Sequence, residues 1–202
     1  TSGSVTLRAC LASGEGAFQR CTNIALQVPI AYPVGIVLRD FDGDGRLDVA
    51  TAAVEEGLAV ALGNGDGTFR NARAYATGRS AIGVASGDVN GDGRIDLVTA
   101  NANSNDVSVF LGTGDGTFEP GVRWAVGAFP ISVKIADFNG DGFGDIVVAN
   151  TNANDVSLLL SNGNGTFQPQ RRFAVGGGPS SVAVADLNRD GRQDVVTSNN
   201  SS

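Results

Sequence analysis

Histidine and methionine are missing from this 202-residue chain, tryptophan occurs once and cysteine twice. Without histidine the commonest general base is gone, and the usual hydrolase triads with it. Zinc loses its nitrogen ligand, and two thiols alone do not complete a thiolate site. No apolar run approaches the ~18 residues of a spanning helix, so no membrane span is expected. No segment keeps a 3.6-residue apolar period, which argues against long helices. No charged-then-apolar leader precedes Thr1, so a mature or trimmed chain is expected. Lysine and arginine number 14 against 21 acids, a formal charge of −7, which is the wrong sign for a nucleic-acid surface.

What is abundant is glycine, 29 residues, among small aliphatics. That composition suits many tight turns. The turns recur with a period. Four segments align: Asp40-Phe-Asp-Gly-Asp-Gly-Arg-Leu-Asp48, Asp88-Val-Asn-Gly-Asp-Gly-Arg-Ile-Asp96, Asp137-Phe-Asn-Gly-Asp-Gly-Phe-Gly-Asp145 and Asp186-Leu-Asn-Arg-Asp-Gly-Arg-Gln-Asp194. A second marker runs in phase, Gly63-Asn-Gly-Asp-Gly-Thr-Phe69, Gly112-Thr-Gly-Asp-Gly-Thr-Phe118 and Ser161-Asn-Gly-Asn-Gly-Thr-Phe167, with a worn copy at Ala12-Ser-Gly-Glu-Gly-Ala-Phe18. Between the markers lie short β-rich runs bounded by Gly, Asn, Asp or Pro, four to a unit.

Units of four antiparallel strands at this spacing predict an all-β fold, a β-propeller of four-stranded blades occupying residues 1–202 as one domain. The chain begins with Ser4-Val-Thr-Leu-Arg-Ala9, which fits a third strand, and stops after Val195-Val-Thr197, a second strand. Joined, the two ends complete one blade, so a closed four-bladed ring with N- and C-terminal strands sharing a blade is expected. The strands before the Asp loops have a small or polar face and a bulky face. The small face, with Arg39 and Lys134, is expected to line a central channel, and the bulky face to pack between blades. Cys10 and Cys21 flank the worn turn. They read as one disulfide and an oxidising compartment, against two buried thiols.

Each Asp loop offers oxygen at alternate positions. The candidate ligands are Asp40, Asp42, Asp44 and Asp48; Asp88, Asn90, Asp92 and Asp96; Asp137, Asn139, Asp141 and Asp145; Asp186, Asn188, Asp190 and Asp194. Arg46, Arg94, Phe143 and Arg192 would add their backbone carbonyls. Calcium takes six to eight oxygens on a chain wrapped around the ion. One such segment alone reads as a polar turn; four copies with the same pattern point to calcium, about four ions, one per repeat. Arg189 replaces a glycine in the fourth loop. Those loops hold 13 of the 21 acids, so four calcium ions would bring the charge from −7 to about +1.

The Asp-x-Asp/Asn-x-Asp-Gly-x-x-Asp loop, the aliphatic pair after it such as Val147-Val148, and the Gly-Asp-Gly-Thr-Phe turn resemble the FG-GAP, or VCBS, repeat family over nearly the whole chain. The resemblance implies a calcium-bearing β-propeller outside the cell. The family includes integrin α-subunit heads, lectins, and modules attached to polysaccharide-active enzymes; its propellers usually have seven blades.

Three functions fit. A secreted binding module would take a glycan or an extracellular protein ligand. Tyr75, Trp124 and Phe173 occupy one position in three units, with Ile24 in the fourth, and could stack on sugars or fill the core between blades. Asn101-Ala-Asn-Ser-Asn-Asp106 and Asn150-Thr-Asn-Ala-Asn-Asp155 could bind ligand or form capped turns. A structural or protein-interaction propeller of a larger extracellular protein is the second reading. An enzyme, such as a polysaccharide lyase, is the third; Glu55-Glu56, Glu15 and Glu119 are the acids outside the loops that could pair. No catalytic residue is assigned. Glycosylation sequons stand at Asn164, Asn199 and Asn200.

Overall fold

A computed structural model describes residues 6–14, 16–26, 28, 32–55 and 57–201. Glu15 and Glu56 lie outside the described residues, as does the start of the expected first strand, Ser4-Val5. The regular structure described is strand. Two strands open the chain, β1 (Thr6–Ala12) and β2 (Phe18–Ala25). Three four-stranded antiparallel sheets follow. The first holds β3 (Pro33–Arg39), β4 (Asp48–Ala53), β5 (Gly57–Ala61) and β6 (Arg73–Tyr75). The second holds β7 (Ala81–Gly87), β8 (Asp96–Asn101), β9 (Asp106–Phe110) and β10 (Val122–Ala125). The third holds β11 (Pro130–Ala136), β12 (Asp145–Asn150), β13 (Asp155–Leu159) and β14 (Arg171–Ala174). The chain ends on a pair, β15 (Gly177–Ala185) and β16 (Asp194–Ser201).

Each four-stranded sheet is a meander, first strand to fourth, so consecutive strands pair. The first strand of each begins on a bulge, between Pro33 and Gly35, Ala81 and Gly83, or Pro130 and Ser132. The residue before it, Tyr32, Ser80 or Phe129, has φ of 55–59°, a left-handed turn that swings the chain from one sheet to the next. Pro33 and Pro130 fit there because a first strand residue can do without an N–H.

The sheets pack face to face. Part of the small face of an inner strand, at Gly35 and Gly87, receives the bulky face of the next sheet. A Cβ on Gly87 would touch the side chain of Ile135, and one on Gly35 would meet the β7 backbone and Val84. Leucine-size groups thus sit opposite glycine and alanine, as a close-packed interior requires. Arg39 and Lys134 are exposed and line one open groove of about 370 Å³ with Val37 and Ala85.

Between the first two full sheets lie Phe41, Leu58, Tyr75, Leu97, Phe110 and Phe118; between the next two lie Val98, Val109, Val133, Ile146 and Phe167. Burying each such side chain is worth roughly 1.5–3 kcal/mol, so each joint is a small hydrophobic core. The β1–β2 pair packs on the first full sheet through Ile24 and Leu26, and β15–β16 packs on the third through Val182. Among the described residues these two pairs are separate two-stranded sheets, and no ladder joins them. A blade shared by the two ends, as expected for a closed ring, is therefore not formed among the described residues.

Candidate functional site

All four Asp loops connect the first and second strands of a unit, so they lie on one rim. The first Asp of each loop organises it. Asp40 accepts the N–H of Gly43 at 2.7 Å and of Gly45 at 2.8 Å. Asp88 does the same with Gly91 and Gly93, and Asp137 with Gly140 and Gly142. The wrap needs left-handed residues, supplied in the first loop by Gly43 (φ 75°) and Gly45 (φ 82°). In the fourth loop Arg189 takes that conformation at φ 63°, and Asp186 accepts from Asp190 and Gly191 instead. The Gly45 N–H, more than the others, holds the Asp40 carboxyl below its usual range. At Asp137 partial burial works in the opposite direction, but the Gly142 and Gly140 N–H groups carry it down too.

The last Asp of each of the first three loops ties two turns together, while Asp194 in the fourth accepts Leu187 N–H. Asp48 accepts Phe41 N–H at 2.7 Å with one oxygen and Gly63 N–H at 2.8 Å with the other. Asp96 takes Val89 and Gly112 in the same way, and Asp145 takes Phe138 and Ser161. These three carboxylates are buried. Burial raises all three pKa values, Asp96 to about 6, against the pull of the N–H bonds. The neighbouring loop acids add to the rise, since like charges resist ionising together. A cation in the loop would reverse that balance.

In the first loop, carboxylate oxygens of Asp40, Asp42 and Asp48 all lie within 4.8 Å of one another. Oxygens about 2.4 Å from a common calcium ion can be at most about 4.8 Å apart, so this donor set fits the ion. Asp44 instead caps Arg46 N–H at 2.9 Å and pairs with the Arg46 guanidinium at 3.5 Å, and Asp92 relates to Arg94 in the same manner. In the second, third and fourth loops the amides of Asn90, Asn139 and Asn188 donate to Asp92, Asp141 and Asp190. The Gly-Asp-Gly-Thr-Phe turns sit on the same rim against the preceding unit's loop, with Gly116 N–H on Phe41 O and Ser161 Oγ on Val89 O. Their acids serve the turn: bonds from Thr113 and Thr117 pull the exposed Asp115 down to about 2.

The aromatic candidates divide. Tyr75 is 7% exposed; its ring meets Phe110 and Phe118 edge-on, and its hydroxyl accepts Phe118 N–H at 3.2 Å. Trp124 is half-buried, edge-on to Phe167, with its indole N–H buried and without a partner among the described residues. Phe173 is 51% exposed and lines an apolar groove of about 350 Å³ with Phe138, Val156 and Leu158. Cys10 and Cys21 face each other across the β1–β2 ladder and are disulfide-bonded.

The Asn-rich stretches lie on the opposite rim as tight turns. Asn105 (φ 56°) and Asn154 (φ 55°) occupy the left-handed position and accept N–H bonds from Phe129 and Gly178 in the next unit. The first Asn of each stretch belongs to a buried network that sequence reasoning missed. Asn101 Nδ2 donates to Asp106 at 2.7 Å and to Ser108 at 2.9 Å, while Arg123 grips the other Asp106 oxygen. Asn150, Asp155, Ser157 and Arg172 repeat it. The signal was there, an Asn, an Asp and a Ser at identical spacing in two units. On the same rim a shallow polar cleft of about 470 Å³ opens between Val54, Glu55, Arg79, Ser80 and Asn103.

A family model for FG-GAP-like repeats matches residues 40–99, 88–148 and 137–197, each match running from one Asp loop through the whole of the next. The chain belongs to the FG-GAP-like repeat family. No curated protein matches the chain by sequence. Among solved structures, a lectin from Agrocybe aegerita that recognises non-reducing terminal N-acetylglucosamine superposes with a TM-score of 0.60 at 21% identity, over 93% of this chain and 54% of that one. A protein of unknown function from Desulfotomaculum acetoxidans gives 0.61 at 17% identity, over 90% and 52%. A candidate 6-phosphogluconolactonase from Bacteroides uniformis gives 0.57 at 15%, over 96% and 68%. This FG-GAP-like chain thus spans about half the length of the first two. At these identities the likeness is one of fold, an array of propeller-like four-stranded sheets.

Proposed function

We propose that this FG-GAP-like chain is a secreted, calcium-binding propeller module without catalytic activity, and that its ligand is a glycan. The observation that carries the metal reading is the convergence of Asp40, Asp42 and Asp48 oxygens within 4.8 Å, in a loop that the sequence repeats four times. Asp88, Asn90 and Asp96, Asp137, Asn139 and Asp145, and Asp186, Asn188 and Asp194 are the corresponding ligands in the other loops, with the carbonyls of Arg46, Arg94, Phe143 and Arg192 added to each shell. Asp44, Asp92, Asp141 and Asp190 complete the sets once they turn inward from their caps. The ion would supply charge that holds the loop and the adjoining turn together, and no chemistry. The disulfide between Cys10 and Cys21 supports an oxidising, extracellular setting. Among the described residues no helix is long and apolar enough to cross a membrane.

The fold shared with a sugar-binding lectin supports the glycan reading. Tyr75 and Trp124 are engaged in core packing, so the proposed sugar site is the cleft at Arg79, Ser80, Asn103 and Glu55, whose donors and acceptors suit hydroxyl groups. The engagement of Asn105 and Asn154 in turns favours the second reading, a scaffold that binds protein. One experiment separates them: a glycan array and a thermal melt, each with millimolar calcium and with EGTA. The expected outcome is glycan binding with calcium only, and a melting temperature that falls in EGTA by several degrees. Glycan silence in both conditions with a calcium-dependent melt selects the scaffold. An unchanged melt sinks the metal reading.

A further inference from the structure

Asn64, Asn90, Asn139, Asn162 and Asn164 each precede a glycine. An Asn-Gly pair is prone to lose its side-chain amide, because no Cβ hinders the glycine nitrogen from approaching the Asn Cγ. The reaction has two requirements. The glycine nitrogen must be free to attack, and the Asn carbonyl must be polarised to take the charge that develops on its oxygen. The fold meets these requirements unequally. Asn90 and Asn139 lie in Asp loops, where the Asp92 and Asp141 N–H groups polarise their Oδ1 atoms. Their attacking nitrogens are tied, however: Gly91 N–H donates to Asp88 and Gly140 N–H to Asp137, each at 2.7 Å. Behind Asn162, the Gly163 N–H donates to Ser161 Oγ at 3.0 Å. At Asn64 no donor reaches Oδ1 among the described residues, and the amide instead donates to Thr68.

Asn164 meets both requirements. Its Oδ1 accepts the Thr166 hydroxyl at 2.6 Å and the Thr166 N–H at 3.1 Å. The Gly165 N–H has no acceptor among the described residues. A neighbour explains why. In the preceding unit the equivalent nitrogen, Gly116, bonds to Phe41 O, whereas the equivalent oxygen here, Val89 O, is taken by the Ser161 hydroxyl at 2.6 Å. Ser161 stands where the sister turns have Gly63 and Gly112. Asn164 is exposed, so water reaches it. The turn also accommodates the product. Asp66 and Asp115 occupy the same place in the sister turns, and each accepts the N–H and the hydroxyl of the threonine two residues on.

From this meeting of a free nitrogen and a polarised amide we infer that Asn164 is a self-modification site, converting to aspartate with water as the only co-reactant. The Gly165 nitrogen gives its proton to solvent and bonds to Asn164 Cγ; the Cγ–Nδ2 bond breaks and ammonia leaves, closing a succinimide. Thr166 polarises the carbonyl as that bond forms. Water then opens the ring. Attack at Cγ restores the backbone and leaves aspartate, while attack at the main-chain carbonyl leaves isoaspartate. Nothing is oxidised or reduced. The chain becomes one unit more negative than −7, and the third turn gains the acid that its sisters encode, against the second Asp loop. The inference is independent of calcium and of any glycan.

Peptide mass spectrometry on the chain held in neutral buffer tests this. Asn164 also heads a glycosylation sequon, so the chain is made in a host that adds no glycan. The amide-to-acid mass gain is expected at Asn164 ahead of the other four sites. It should be about tenfold faster than at Asn90 and Asn139, whose glycine N–H must first leave a carboxylate. In concentrated urea the five rates should converge. Ser161→Gly returns Val89 O to the Gly165 N–H, and Thr166→Val removes a donor from Oδ1. Each should slow conversion several-fold in the folded chain and leave the rate in urea unchanged. An Asn164 that keeps its amide in native buffer but loses it in urea overturns the inference, because the fold then protects it. A native ranking equal to the one in urea overturns it too, without recourse to either variant. So do native rates that neither substitution alters.

Discussion

The sheet β3–β6 and the sheet β7–β10 share one backbone ladder but fill the rim opposite the Asp loops in different ways. In β7–β10 the end of the second strand and the start of the third carry Asn101, Asp106 and Ser108, gripped by Arg123 from the fourth strand. At the same register positions β3–β6 has Ala53, Gly57, Ala59 and Ala74. In both sheets the residues on the second and third strands are buried, while the fourth-strand residue, Arg123 or Ala74, is exposed. The position ahead of the first strand follows suit: Gly78 precedes the polar sheet and Ile30 stands at that place before the alanine-filled one, although Ile30 lies outside the described residues. A polar network and an apolar plug are interchangeable in one frame only if all their members change together. Partial exchange leaves a buried donor or acceptor unpaired, and that costs more than either complete arrangement.

The sharpest way to break this comparison is Gly78→Ala. A Cβ there would contact Asp106 Oδ1 and Ser104 Oγ and sit 2.7 Å from Asn101 Nδ2. Overpacking of this kind, with loss of network bonds, should cost about 3 kcal/mol in urea unfolding. Asp106→Ala should come next, at about 2–3 kcal/mol, since the buried Asn101 amide loses an acceptor while Arg123, half exposed, recovers water. The combined variant with Gly78→Ile, Asn101→Ala, Asp106→Ala, Ser108→Ala and Arg123→Ala imitates the apolar sheet. It is expected to lose less than Asp106→Ala alone. Additive losses in the combined variant would show that the frames are not equivalent.

Much of this was legible in the sequence, for reasons that differ by element. The Asp loops, the glycine turns and the four strands of each unit are local, set by left-handed glycines, alternation and short spacing. The facing of Cys10 and Cys21 followed from the turn between them. What packs on what was not legible. Alternation on the inner strands separates a small face from a bulky one, but only the sheet-to-sheet distance reveals that Gly87 receives Ile135. Tyr75 and Trp124 read equally well as ligand platforms or core, because a strand carries no mark of which side its neighbour occupies. The Asn-rich stretches were legible as turns, yet Asn101 looked like its turn neighbours until its burial separated it.

The smallest effect distinguishes the two polar sheets from each other. In β7–β10 the Asn101 carbonyl oxygen accepts the Thr99 hydroxyl at 3.0 Å. In β11–β14 the same position carries Val148, and Asn150 Oδ1 is buried without a partner among the described residues. At most core sites Val→Thr costs about 1–2 kcal/mol, because the hydroxyl is buried unpaired. At Val148 the new hydroxyl meets an acceptor that lacks a donor, so Val148→Thr should be neutral or stabilising by up to about 1 kcal/mol. The reverse change, Thr99→Val, should destabilise by about 1 kcal/mol, because it orphans Asn101. Urea midpoints moving in opposite directions for these two substitutions would establish that the networks differ by this one hydroxyl. Midpoints that both fall would mean that water already satisfies Asn150.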